Sequence, residues 1–239
     1  MTVLVIQHED DCPPALVGRW LAEAGVGLDV RRPYAGDPLP DDLAGHTGLL
    51  VLGGPMAATD DAEHAWLAPT RALLRDAVAA DVATLGICLG HQLLAAALGG
   101  TSAPNPAGQQ RGLLPVGWTA AALDDELVAP LQHATRHAPQ RCLHWNVDVV
   151  TALPPGAEVL ALAPGGEVQA ARFAPRAWGV QPHPEVDRAV VERWGTTEPD
   201  AAADALAAEV GAAADELETT WRPLATSFAR VVAGAGVAS

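Results

Sequence analysis

The chain has 239 residues, 49% of them hydrophobic, and a formal net charge of -15 at neutral pH. That is enough apolar material for a sizeable core in one soluble domain, and the negative charge argues against nucleic acid or an anionic membrane surface as partner. No apolar run approaches the ~20 residues of a membrane span and MTVLVIQHED is not a basic leader, so neither secretion nor insertion is expected and a reducing cytoplasm fits best.

Val3 to Gln7 reads as a short buried strand, followed by Pro13 and Pro14 and an amphipathic helix through Leu16, Trp20 and Leu21 that stops at Gly25. Gly27 to Arg31 is a second strand, Pro33 to Asp42 a loop, and Gly48 to Leu52 a third strand running into Gly53-Gly54-Pro55. Trp66 to Ala80 has helical spacing, Ala83 to Ile87 is again a strand, and Leu89 to Leu98 is an apolar helix stopped by Gly99-Gly100.

Beyond this point short runs are separated by Pro and Gly: Leu113 to Trp118, Cys142 to His144, Val159 to Leu162, Val168 to Phe173 and Trp178 to Gln181. They suggest hairpin strands added to one edge of the sheet. From Asp187 onward, Trp194, Leu206, Val210, Leu217, Trp221 and Phe228 are spaced for helices that pack on the rest. The expected fold is α/β: an open, mostly parallel sheet with helices on both faces, extra antiparallel edge strands and C-terminal helices. Residues 1–239 read as a single domain, with 1–186 as its core and 187–239 as helices packed on that core.

Three cysteines without CxxC spacing indicate neither a disulfide framework nor a zinc knuckle. Cys88, however, lies in Gly86-Ile87-Cys88-Leu89-Gly90-His91-Gln92, at the junction of a strand and a helix. A turn this tight strains the backbone of the central residue and requires small neighbours, and it projects the sulfur above the strand ends. It also places the sulfur at a helix N-terminus, where unpaired N–H groups favour a thiolate, and points the Leu89 N–H to where an oxyanion would form. A buried structural role is the ordinary expectation for free cysteine, and Cys12 and Cys142 are left with it.

A thiol nucleophile needs a base, and the base an orienting group. Of eight histidines, His183 stands out, because Trp178-Gly179-Val180-Gln181 reads as a strand that ends in Pro182-His183-Pro184-Glu185. Glu185, two residues on, is placed to accept a hydrogen bond from the ring. His91 is nearer in sequence to Cys88 but is expected to pack beneath the turn. Asp60, Asp61, Glu63 and His64 form an acidic cluster that reads as the opening of a helix rather than a metal site; no metal or cofactor is expected.

Gly53-Gly54-Pro55, the Cys88 segment and His183-Pro184-Glu185, in this order and at these separations, resemble the class I glutamine amidotransferases, which implies their flavodoxin-like architecture. The resemblance runs from the first strand to about Val186 and is nearest to the stand-alone branch similar to the glutaminase domain of GMP synthase. It implies a Cys88, His183, Glu185 triad acting on glutamine through a glutamyl thioester, an oxyanion hole made by the backbone N–H groups of Gly54 and Leu89, and a substrate-holding role for Gln92. Two departures stand out. Pro182 occupies a position that is often aromatic in the family, and His144-Trp145-Asn146-Val147-Asp148 replaces a Trp-His pair followed by an acid.

Neither GxxxxGK nor GxGxxG follows a strand, so the chain shows no means of activating an ammonia acceptor with ATP. Two roles are left open: supply of ammonia to a separate synthetase, and free-standing hydrolysis. A γ-glutamyl amide or peptide is an alternative substrate for the same triad, and a non-catalytic binding or regulatory domain is the reading from another class.

Overall fold

A computed structural model describes residues 1–135, 139–197 and 201–234. In chain order its elements are β1 (Thr2–Ile6), α1 (Ala15–Glu23), β2 (Gly27–Arg31), β3 (Gly48–Val51), α2 (Leu67–Ala79), β4 (Ala83–Ile87), α3 (Leu89–Ala97), β5 (Thr101–Pro104), β6 (Gln110–Pro115) and β7 (Gly117–Trp118). There follow α4 (Ala129–Thr135), β8 (Arg141–Asn146), β9 (Asp148–Ala152), β10 (Glu158–Leu162), β11 (Val168–Ala174), β12 (Ala177–Val180), α5 (Arg188–Thr197), α6 (Ala201–Ala212) and α7 (Ala214–Gly234).

The main sheet has eight strands in the order β2-β1-β3-β4-β12-β11-β10-β7. From β2 to β12 the pairs are parallel; β11, β10 and β7 continue the sheet antiparallel. Period-two alternation sends the side chains of each central strand to opposite faces. Val3, Val5, Leu50, Leu52, Leu85 and Ile87 face a core shared with Trp20 and Leu21 of α1 and with Trp221, Leu224 and Phe228 of α7. Leu4, Ile6, Leu49 and Val51 face Leu73 and Leu74 of α2 and Leu93 and Leu94 of α3. Helices thus cover both faces, as expected, and α7 supplies much of one of them.

The expectation that all the later runs add to one edge is corrected in two places. Trp178–Gln181 falls largely in β12, which lies inside the sheet and pairs parallel with β4, Val180 opposite Ile87. Of Leu113–Trp118 only Gly117 and Trp118 join the main sheet; β6 pairs with β8 as a separate antiparallel ribbon, and β5 pairs with β9 as another. Pro115 lacks the N–H needed to continue a ladder, and a Cβ on Gly117 would come within 2.3 Å of the Leu162 carbonyl oxygen. The chain therefore changes partners at this point.

Among the described residues, three histidines are fully buried: His8, His91 and His144. Burial pushes His8 down to about 3, helped by the charge of His64; burial alone pushes His91 down to about 3. Burial, then the charge of His183, brings His144 to about 4. The unfolded chain takes up protons near pH 6.5 and the folded chain does not, so these groups contribute fully above that pH and the contribution falls as pH drops towards 3–4. At ~1.4 kcal/mol per pH unit per group, the loss by pH 5 is on the order of 5 kcal/mol. Urea midpoints at pH 7 and pH 5 are expected to differ accordingly; equal midpoints would refute this.

Candidate active site

The parallel register brings the site together. With Val180 opposite Ile87 and Val51 opposite Gly86, the ends of β12, β4 and β3 lie side by side, and Cys88, the residues after Val180 and the Gly53-Gly54 turn meet above them. Cys88 has φ 51° and ψ -108°, a region that costs a residue with a side chain on the order of 1–3 kcal/mol. Its N–H donates to the Val180 carbonyl at 2.8 Å, and its own carbonyl accepts from Gln92 N–H at 3.1 Å.

The two glycines around the turn are required by close approach. A Cβ on Gly86 would lie 2.4 Å from the Gly90 carbonyl oxygen, and a Cβ on Gly90 only 2.0 Å from that of Val51. The Gly90 N–H is taken by the Leu52 carbonyl at 3.1 Å. The Leu89 N–H, first in α3, has no acceptor within the helix.

His183 is fixed where β12 ends: its N–H donates to the Leu143 carbonyl at 2.8 Å, tying it to the ribbon strand β8. Its Nδ1 lies 2.7 Å from Glu185 Oε1, and the Glu185 carbonyl accepts from Leu16 N–H at 2.9 Å. With Nδ1 engaged by the carboxylate, Nε2 is the nitrogen left for the Cys88 side. Burial works against the charged imidazole, but the neighbouring Cys88 and Glu185 prevail and hold it well above the usual histidine range. A ring so raised favours its protonated form.

Cys88, His183 and Glu185 are 5%, 3% and 3% exposed. Water is largely excluded, which strengthens every charge interaction among them. Gly53 and Gly54 form the neighbouring wall: a Cβ on Gly53 would be 3.0 Å from His183 Cε1, and one on Gly54 3.1 Å from Leu89 Cδ2. Gly54 thus lies against the Leu89 side chain at the start of α3.

Gln92 is buried in the first turns of α3, and its amide nitrogen donates to the Asp148 carbonyl at 2.9 Å and to Gln181 Oε1 at 3.2 Å. Its N–H groups are thus taken within the protein. His91 packs beneath the turn, its ring against Phe173 at 5.2 Å and against the Gly179 backbone. In the acidic cluster, Asp60 accepts from Ala57 N–H and Asp61 pairs with Arg71, well before α2 begins at Leu67. These acids brace a turn rather than open the helix as expected. Cys12 and Cys142 are raised chiefly by burial, and among the described residues no cluster of side chains suits a metal ion.

Two neighbours were missed in the sequence. Gln181, fully buried, directs its amide nitrogen to Cys88 Sγ at 3.6 Å, a contact implied only once β12 is known to lie beside β4. Trp194 of α5 packs on the His183 ring with centroids 4.9 Å apart, which helical periodicity alone marks as a core position.

The profile described as glutamine amidotransferase class-I matches residues 15–191. The glutamine amidotransferase-like protein YfeJ of Salmonella typhimurium is 30% identical over 195 residues, spanning 80% of this chain and 79% of that protein. The GMP synthase of Aeropyrum pernix is 32% identical over 186 residues, which cover 75% of this chain but 33% of the synthase.

Among solved structures, a glutamine amidotransferase from Methylobacillus flagellatus superposes with a TM-score of 0.83 at 26% identity, covering 96% of this chain and 94% of that one. One from Thermotoga maritima shares the fold with a TM-score of 0.82 at 22% identity, covering 97% and 98%. The chain belongs to the class I glutamine amidotransferase family.

Proposed function

We propose that this protein hydrolyses the side-chain amide of glutamine, with Cys88 as nucleophile, His183 as acid and base, and Glu185 as the group that orients the imidazole. The sulfur attacks the amide carbon, and the oxyanion is held by the N–H groups of Gly54 and Leu89, each worth ~3 kcal/mol to the barrier. His183 gives its proton to the departing ammonia, and the glutamyl group stays on Cys88 as a thioester. The same imidazole then takes a proton from water, whose oxygen attacks the thioester and releases glutamate. Gln92 presents its carbonyl oxygen to the substrate.

The observation that carries this reading is the conjunction at one point of a strained cysteine and a buried imidazole held at 2.7 Å by a carboxylate. Ammonia is the product a synthetase needs, and a relative from Halobacterium salinarum bears the name of one separate chain of a glutamine-hydrolyzing GMP synthase; it is 36% identical over 58% of this chain and 66% of that one. An ammonia-consuming synthetase on a separate chain is therefore the proposed partner. The test is release of glutamate and ammonia in equal amounts from glutamine by the purified protein, with γ-glutamyl amides in parallel. Release that is lost in Cys88→Ala is expected; preference for amine release from a γ-glutamyl amide would reassign the substrate, and no release from any of them would overturn the reading.

A further inference from the structure

We propose that Trp194 is a positioning residue that holds the His183 imidazole in the orientation from which it serves both Cys88 and Glu185. The inference rests on the triad reading above and concerns a residue outside the 15–191 segment matched by the family profile.

The Glu185 hydrogen bond leaves the tilt of the ring undetermined. A single contact at Nδ1 restrains one atom, and coupled rotation about the Cα–Cβ and Cβ–Cγ bonds can still turn the imidazole within the tolerance of that hydrogen bond. Such rotation swings Nε2 away from the sulfur while keeping the hydrogen bond to Glu185. Something must therefore bear on the ring itself. On one side lies the Gly53 backbone, so close that an added Cβ would be 3.0 Å from Cε1. Trp194 supplies a second contact, with ring centroids 4.9 Å apart and an interplanar angle of 71°. Edge-to-face packing of this kind is directional.

The indole is itself held. Its Nε1–H donates to the Asp11 carbonyl at 2.7 Å, which ties α5 to the loop after β1. Trp145 of the ribbon packs against it at 5.4 Å and 76°, and the Arg111 guanidinium lies 3.9 Å over the Trp145 ring. Here the restraints converge on the one ring whose tilt decides whether a proton can pass between nitrogen and sulfur, and a misplacement of ~1 Å at such a point costs on the order of 100-fold in rate.

The experiment compares Trp194→Leu, Trp194→Phe and Trp145→Leu with wild type, using kcat and KM for glutamine and the pH titration of the His183 imidazole by NMR. Trp194→Leu is expected to lower kcat by about 10- to 100-fold with KM changed less than about 3-fold, and to move the His183 titration towards its ordinary value. Trp194→Phe keeps an aromatic face and should recover kcat to within about 5-fold of wild type. Trp145→Leu, which loosens the indole without touching His183, should fall between them and keeps the proposal testable if Trp194→Leu does not fold.

Equal loss in Phe and Leu variants, or a fall in thermal stability with kcat and the His183 titration unmoved, overturns the proposal. His183→Ala is the separate control. If it retains wild-type turnover, the triad reading itself fails, whatever Trp194 does.

Discussion

Replacing Cys88 with glycine is expected to abolish glutamine hydrolysis, by at least about 10⁴-fold, while leaving stability within about 1 kcal/mol of wild type, because relief of backbone strain and loss of the buried thiol are of similar size. Two effects oppose each other. Glycine adds backbone entropy to the unfolded chain, costing roughly 0.5–1 kcal/mol, and the buried thiol is lost. Against this, φ 51° and ψ -108° strain any residue with a Cβ but are ordinary for glycine, and relief of about 1–3 kcal/mol offsets the cost. Cys142→Gly provides the contrast: it removes an equally buried side chain from strand β8, where there is no positive φ to relieve, and should cost about 1–3 kcal/mol. Urea denaturation of both variants checks the contrast. A clearly destabilised Cys88→Gly would show that the turn is not a store of strain.

Gly90→Ala is expected to destabilise by more than about 3 kcal/mol and to remove activity with it. The added methyl would sit 2.0 Å from the Val51 carbonyl oxygen and 2.7 Å from its carbon, and neither is the end of a flexible side chain. To make room, α3 must lift from β3, which breaks the Gly90 N–H bond to Leu52 and displaces Leu89 and Cys88 together. Gly211→Ala, in α6, is the control: its nearest neighbours are Arg188 side-chain carbons that can swing away, and helix propensity favours alanine by up to ~1 kcal/mol. Thermal midpoints that move in opposite directions for the two variants are the expected result; parallel behaviour would mean that close packing at Gly90 is not what the turn depends on.

The contrast between these glycines shows why much of the site was legible in the sequence. The turn at Cys88 is a local device: the strand before it, the helix after it and the glycines on both sides all lie within a few residues, and each leaves a mark in composition. His183-Pro184-Glu185 is similar, since a short turn within four residues is enough to bring the carboxylate to Nδ1. The apolar run Val3, Leu4, Val5, Ile6 foretold a strand buried on both faces, and the structure divides it between two cores.

What escaped depends on which segments become neighbours. Val180 beside Ile87 is a matter of strand order, and without it neither the place of β12 nor the Gln181 contact with Cys88 can be inferred. Leu113 to Trp118 was read as one run across Pro115, and the change of partner from β8 to β10 within it was not foreseen. Trp194 carried a helical periodicity that any core residue would carry, and its contact with His183 crosses from α5 to the end of β12. Gln92 lay in the recognised motif, yet its donors go to Asp148 and Gln181, both remote in sequence.

Attack by Cys88 on the side-chain amide carbon of glutamine is the step on which all the chemistry depends. Its most direct test is covalent labelling of the full chain by a glutamine analogue with a diazoketone in place of the amide, read by peptide mass spectrometry. The expected result is one adduct, on Cys88, that excess glutamine prevents. An unlabelled protein, or an adduct on Cys12 or Cys142 with Cys88 untouched, would contradict it.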